Sequence, residues 1–145
     1  MLYVVKNMED WELLIHRILK DYAGKNIFLL KGTLGAGKTT FVQEFGKVLQ
    51  VKEHITSPTF SIMHEYHFDG GTIYHFDLYR INNDRELKEL GFEHFLEEGR
   101  YCLIEWPEMV EPVLKETEEW KNRCLVLEIF FNSEINCREV YVNEW

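Results

Sequence analysis

The sequence has no apolar run near the roughly 20 residues that a membrane-spanning helix needs, so no span is expected. Its first residues, Met1-Leu2-Tyr3-Val4-Val5-Lys6, lack a basic stretch followed by an apolar one, so no secretion signal is expected. Cysteine is sparse. Cys102, Cys124 and Cys137 form an odd, widely spaced set, and the first two lie in apolar runs like small buried hydrophobes. Together these points favour a reducing cytoplasm. Basic residues are also short: 16 Lys and Arg against 25 Asp and Glu, a net charge of −9, with no Lys/Arg run. Tight autonomous binding of DNA or RNA needs a basic surface that displaces counterions. The surface is therefore expected to meet a protein partner rather than a nucleic acid.

Several signatures are missing. No Asn-Lys-x-Asp stretch marks a guanine pocket. No arginine-rich lid of the nucleotide-kinase kind exists, since Arg80, Arg85 and Arg100 are scattered. No Gly-x-Ser-x-Gly or Cys/His nucleophile pattern occurs. His64-Glu65-Tyr66-His67 invites a metal reading, but residues three apart on a strand face opposite sides, so zinc is not expected.

What is present centres on Gly32-Thr33-Leu34-Gly35-Ala36-Gly37-Lys38-Thr39, which fits G-x-x-x-x-G-K-[ST] without a mismatch. Asn26 to Lys31 before it reads as a buried strand. Thr40 to Leu49 after it reads as a helix with apolar residues at 41, 42, 45, 48 and 49. Glycines let backbone N–H groups wrap a phosphate chain, and the helix N-terminus adds positive potential. Lys38 is expected to reach the β- and γ-phosphates and the Thr39 hydroxyl to bind Mg²⁺. A chance glycine turn is the plainer reading, but pattern and context agree on nucleotide binding.

The rest of the chain suits one domain over residues 1–145, of ordinary globular composition. Residues 2–5 read as a short strand. Asn7 is a plausible N-cap for a helix over about 8 to 22, with Trp11, Leu14, Ile15, Ile18, Leu19 and Tyr22 on one stripe and Gly24 ending it. Residues 60–77 read as an antiparallel ribbon turning at Asp69-Gly70-Gly71. Asn83 and Glu86 form a capping-box-like pair opening a short helix that stops at Gly91, and another helical turn is expected over 92–98. Arg100 to Glu105 reads as a buried strand. A short helix over 113–120 and strands over about 123–130 and 138–142 complete the chain. Together these elements predict a three-layer α/β domain, P-loop NTPase-like, with a mixed parallel/antiparallel sheet and an inserted β-ribbon.

Two strand-end carboxylates, Asp77 and Glu105, compete to hold the metal. The run before Glu105 is the more apolar and looks like the central strand beside the glycine loop, where a C-terminal acid points at the phosphate crevice. Solvated loop carboxylates are the alternative. Thr59, after Pro58, resembles a switch threonine that senses the γ-phosphate, or is an ordinary turn hydroxyl. Trp106 could cover the nucleotide, face a partner, or simply be an exposed loop aromatic.

Four stretches then occur in order: Gly35-Ala36-Gly37-Lys38-Thr39-Thr40-Phe41, Ser57-Pro58-Thr59-Phe60, His75-Phe76-Asp77-Leu78-Tyr79-Arg80 and Ile104-Glu105-Trp106-Pro107-Glu108. Over nearly the whole chain, to Arg138, this resembles the TsaE (YjeE) family of bacterial ATPases of tRNA threonylcarbamoyladenosine biosynthesis. The resemblance implies ATP and Mg²⁺ as cofactors, slow hydrolysis, and a cytoplasmic role with the partner proteins TsaB and TsaD. TsaD transfers the threonylcarbamoyl group to adenosine 37 of tRNA, which this chain would meet only through the complex. The resemblance further implies an ATP cycle that resets the TsaB–TsaD pair between turnovers. By motif, Gly35, Ala36, Gly37, Lys38, Thr39 and Thr40 would bind phosphates, and Thr39 would also take Mg²⁺. Glu105 matches the family's metal-site acid, Asp77 the acid tied to hydrolysis, and Thr59 a residue of its switch-like loop. Arg138 resembles a position near the nucleotide base, with Asn7 and Met8 loosely aligned to another part of that pocket. Which of Asp77 and Glu105 holds the metal directly stays open.

Two other classes fit the residues. A small-molecule kinase would use Asp77 as base beneath the ribbon. A nucleotide-gated binding module would hold ATP without productive turnover.

Overall fold

The computed structural model describes residues 1–58 and 61–145. Strand β1 (Leu2–Val5) leads into helix α1 (Met8–Asp21), whose N-cap Asn7 accepts a hydrogen bond from the Asp10 N–H at 2.9 Å. Strand β2 (Ile27–Lys31) and helix α2 (Lys38–Leu49) flank the glycine loop. Then come β3 (Met63–Phe68), β4 (Gly71–Asp77), α3 (Asp84–Leu90), α4 (Phe92–Glu98) and β5 (Tyr101–Glu105). A 3₁₀ turn at Pro107–Met109 precedes α5 (Glu111–Lys115), α6 (Glu118–Arg123), β6 (Cys124–Asn132) and β7 (Cys137–Glu144).

The seven strands form one sheet in the order β1-β7-β6-β2-β5-β4-β3. β2 pairs in parallel with β5 and β6, and β4 pairs in parallel with β5. The β1–β7, β6–β7 and β3–β4 pairs are antiparallel, so the sheet is mixed. Phe28 and Leu30 of β2 face α1 and α2, packing with Trp11, Ile15, Phe41 and Phe45. Ile27 and Leu29 face the other layer, with Leu87, Leu96, Leu114 and Trp120 of α3 to α6. A central strand covered on both faces needs an unbroken apolar run, which is what its sequence carries.

Three expectations change in detail. The ribbon begins at Met63, and β4 joins the main sheet through β5. Phe60, its expected first residue, lies outside the described residues. The single helix expected over 113–120 is two: Pro112 sits in the first turn of α5, and Thr117 starts α6 by accepting from the Trp120 N–H at 3.2 Å. β6 runs two residues further than expected, to Asn132, and β7 extends one residue earlier and two later, because the β6–β7 ladder runs from Leu125–Glu144 to Asn132–Cys137.

All three cysteines are buried and free. Burial pushes the Cys102 and Cys124 thiols up to about 12, so they act as packing groups, not nucleophiles. No helix of the described residues is long and apolar enough to cross a membrane.

Candidate functional site

The site starts where β2 runs out. Gly32 has φ of 154°, and a Cβ there would lie 2.6 Å from the Ile129 carbonyl oxygen of β6, so only glycine passes this point. Gly37, φ 121°, ends the loop. Within it the Ala36 N–H donates to the Thr33 carbonyl at 3.1 Å. Ala36 is buried, and its own carbonyl accepts from Arg138 Nε at 2.8 Å, so β7 clamps the loop from behind. Among the described residues no side chain caps α2, whose N-cap is Gly37, and no acid occupies its first turn. Its first N–H groups are thus left open to an anion.

Above the loop lies a cleft of about 360 Å³ whose lining includes Gly35, Lys38, Thr39, Asp77, Glu105 and Trp106. Lys38 Nζ donates to the Gly32 carbonyl and, at 3.3 Å, to the Thr33 carbonyl. It also sits 3.6 Å from the centre of the Trp106 ring, a cation–π contact. Burial pushes the Lys38 ammonium below its usual value, against the upward pull of Glu105, Asp77 and Glu108.

The Thr39 hydroxyl lies 3.1 and 3.2 Å from the two carboxylate oxygens of Glu105. Glu105 ends β5, a strand buried along its whole length. Its Oε2 also accepts from His75 Nε2 at 2.6 Å. Asp77 ends β4 in direct register with Glu105. It is half-buried, and its Oδ1 accepts from the Tyr79 N–H at 3.1 Å. A hydroxyl and a carboxylate side by side at a phosphate-type loop are hard oxygen donors, the set that Mg²⁺ takes alongside phosphate and water.

The predicted residues do not all meet in this cleft. Arg138 and Thr40 line it, but they also line a neighbouring cavity of about 340 Å³ with Asn7, Met8 and Trp11. Met8 belongs to that second cavity alone. Ala36 is a buried support of the loop, not part of the cleft wall. Thr59 lies outside the described residues. Arg80, read from sequence as scattered, is exposed on the cleft wall. His64 and His67 have separate partners: Tyr66 Oη at 2.9 Å for one and Glu53 for the other. Trp106 takes a left-handed φ of 55° that turns its ring over Lys38 and against Tyr79, at 4.8 Å between centroids. His75 enters the sequence reading only as the first residue of the His75-Phe76-Asp77 stretch, with no role of its own. Its spacing of two from Asp77 would put both on one face of a strand, a signal present in the sequence.

The sequence model of threonylcarbamoyl adenosine biosynthesis protein TsaE matches residues 5–138. Among curated relatives, the tRNA threonylcarbamoyladenosine biosynthesis protein TsaE of Rickettsia felis is 39% identical over 112 residues, 77% of this chain and 65% of the relative. The protein of the same name from Aquifex aeolicus is 37% identical over 111 residues, 75% of this chain and 78% of the relative. The matched stretch thus spans 65% of the length of the first such relatives. The fold is similar to the crystal structure of Bacillus subtilis YdiB, with a TM-score of 0.69 at 22% identity, covering 100% of this chain and 86% of that one.

Proposed function

The chain belongs to the TsaE family of threonylcarbamoyl adenosine biosynthesis proteins, and on that premise we propose that it is an ATP-binding, slowly ATP-hydrolysing component of the machinery that makes threonylcarbamoyladenosine at position 37 of tRNA. It resets the TsaB–TsaD pair between turnovers and meets tRNA only through that complex. The observation that carries the reading is the helix that starts at Gly37 after a glycine loop, with Thr39 and Glu105 joined at its first turn.

The N–H groups of the loop and of the first turn of α2 hold the phosphate chain. Lys38 leaves the Gly32 and Thr33 carbonyls to reach it. Thr39 and Glu105 hold Mg²⁺, which when bound neutralises phosphate charge. Asp77, beside Glu105 but not joined to Thr39, orients the attacking water. The cavity shared by Asn7, Met8, Thr40 and Arg138 receives the base or ribose. Hydrolysis is slow in the free chain because the cleft stands open and Arg80 is exposed on its wall, so a partner must dry and order the site.

The test is modified-nucleoside yield in a reconstituted reaction with TsaB, TsaD, tRNA and the threonylcarbamoyl donor system. Wild-type chain is expected to convert a single round into repeated turnover, and Lys38→Ala is expected not to. Equal yield with and without the chain would sink the proposal.

A further inference from the structure

His75 is wholly buried at the interface of β4 with the α1–α2 layer, yet its side chain is polar. A buried imidazole is costly unless it is hydrogen-bonded. This one makes a single hydrogen bond, Nε2 to Glu105 Oε2 at 2.6 Å, and Nδ1 has no partner among the described residues. An apolar side chain of similar size would fill the space without an orphaned nitrogen. What the histidine adds here is therefore its bond to Glu105. An ionised carboxylate only accepts, so Nε2 carries the proton.

The backbone makes this contact specific. In the β4–β5 ladder His75 pairs with Leu103 and Asp77 with Glu105, so His75 and Asp77 share one strand face and His75 reaches Glu105 diagonally. The Tyr66 ring packs near the imidazole, with centroids 6.2 Å apart. On the other side of the carboxylate stands the Thr39 hydroxyl, nearly equidistant from both oxygens. The last torsion of a glutamate is broad, so the hydroxyl alone leaves the carboxylate free to rotate.

We propose that His75 is a positioning residue: its Nε2–H holds Oε2 of Glu105 so that the carboxylate stays turned toward Thr39 and the cation of a bound nucleotide. This rests on the nucleotide–Mg²⁺ reading above. Partners of this kind behind a metal-binding carboxylate fix its orientation before the metal arrives.

The test compares affinity for a non-hydrolysable ATP analogue in excess Mg²⁺ and in EDTA, on the full chain. Wild type is expected to bind more tightly with Mg²⁺. In His75→Leu the Mg²⁺-dependent tightening is expected to fall about tenfold or more, with affinity in EDTA changed less than about twofold. His75→Gln, whose amide Nε2 offers a donor at the same reach, is expected to keep most of it. In a Glu105→Gln background His75→Leu should change nothing further. Thermal melts without nucleotide check that each variant folds, and His75→Met replaces His75→Leu if that one does not. Imidazole ¹⁵N shifts of the metal-free wild type should report the Nε2–H tautomer. An unchanged Mg²⁺-dependent tightening in a folded His75→Leu or His75→Met chain, or an Nδ1–H tautomer, overturns the proposal. A wild type that binds the analogue equally in Mg²⁺ and EDTA overturns the site reading itself, and this proposal with it.

Discussion

Asp77 and Glu105 stand directly opposite each other on adjacent parallel strands, yet only Glu105 touches the Thr39 hydroxyl. Asp77 turns instead to the Tyr79 N–H, one step further from α2. The two acids therefore have different reach into the cleft, although both end apolar runs in the sequence.

That difference predicts a split between binding and turnover. Glu105→Gln is expected to weaken Mg²⁺-dependent nucleotide affinity about 10- to 100-fold. Asp77→Asn is expected to bind within a few-fold of wild type and to hydrolyse ATP about 100-fold more slowly. Calorimetric titration and single-turnover hydrolysis measure the two separately. Equal affinity losses in both variants would undo the assignment.

Lys38 is held away from any phosphate by the Gly32 and Thr33 carbonyls and lies against the Trp106 ring. A nucleotide that draws the ammonium to its phosphates removes the cation from that ring. Tryptophan emission is therefore expected to change on ATP binding, and Trp106→Phe to remove most of the change, the remainder coming from Trp11 beside the neighbouring cavity. Lys38→Ala removes a charge-assisted contact and should weaken binding about 10- to 100-fold. An emission change of undiminished size in Trp106→Phe would place the signal elsewhere.

How much of this was legible depends on range. The glycine loop, the Asn7 and Asn83 caps and the two-faced apolar run of β2 are local signals, and each lies where the sequence puts it. Gly91 stops α3 in a left-handed conformation, again as its residue type dictates. The bond between His75 and Glu105 depends on the register of β4 against β5, across 30 positions of chain, which no local pattern encodes. The same holds for Arg138: its link to the Ala36 carbonyl spans 102 positions. The split of α5 from α6 has a local signal in Thr117, which caps α6 by accepting from the Trp120 N–H. Met8 lines the cavity next to the cleft that holds Lys38 and Thr39, and its place there depends on how α1 packs beside the loop.

His67 and Glu53 form a surface pair that joins β3 to the segment after α2, with a further His67 contact to Glu65 at 3.4 Å. The hydrogen bond to Glu53 holds the imidazole above its usual 6.5, and the bonds from the His67 backbone and ring hold the Glu53 carboxyl below its usual 4.5. A raised histidine stabilises fully below its unfolded value and loses this as pH rises through the folded one. A lowered carboxyl stabilises above its unfolded value and loses this as pH falls through the folded one. The pair is thus strongest between the two ordinary values. Glu53→Gln is expected to move the His67 midpoint down toward 6.5 in an NMR titration. An unmoved midpoint would mean that the pair does not form in solution.

Phe45 links the phosphate-type loop to the core. It is fully buried on α2, edge-on to Phe28 of β2 at 5.4 Å and to Tyr101 of β5 at 5.1 Å. Those two strands deliver the glycine loop and Glu105, so one ring seats the helix bearing Lys38 and Thr39 against both. Phe45→Ala should cost about 3–5 kcal/mol in urea unfolding, from lost transfer energy and the cavity left behind. Phe45→Leu keeps most of the volume and should cost less than half of that. If positioning passes through this contact, Phe45→Leu should also loosen Mg²⁺-dependent nucleotide affinity a few-fold under conditions where it stays folded. A Phe45→Leu chain that loses stability but binds as wild type would show that the loop is seated by its own turns and by the Arg138 clamp, independently of the aromatic cluster.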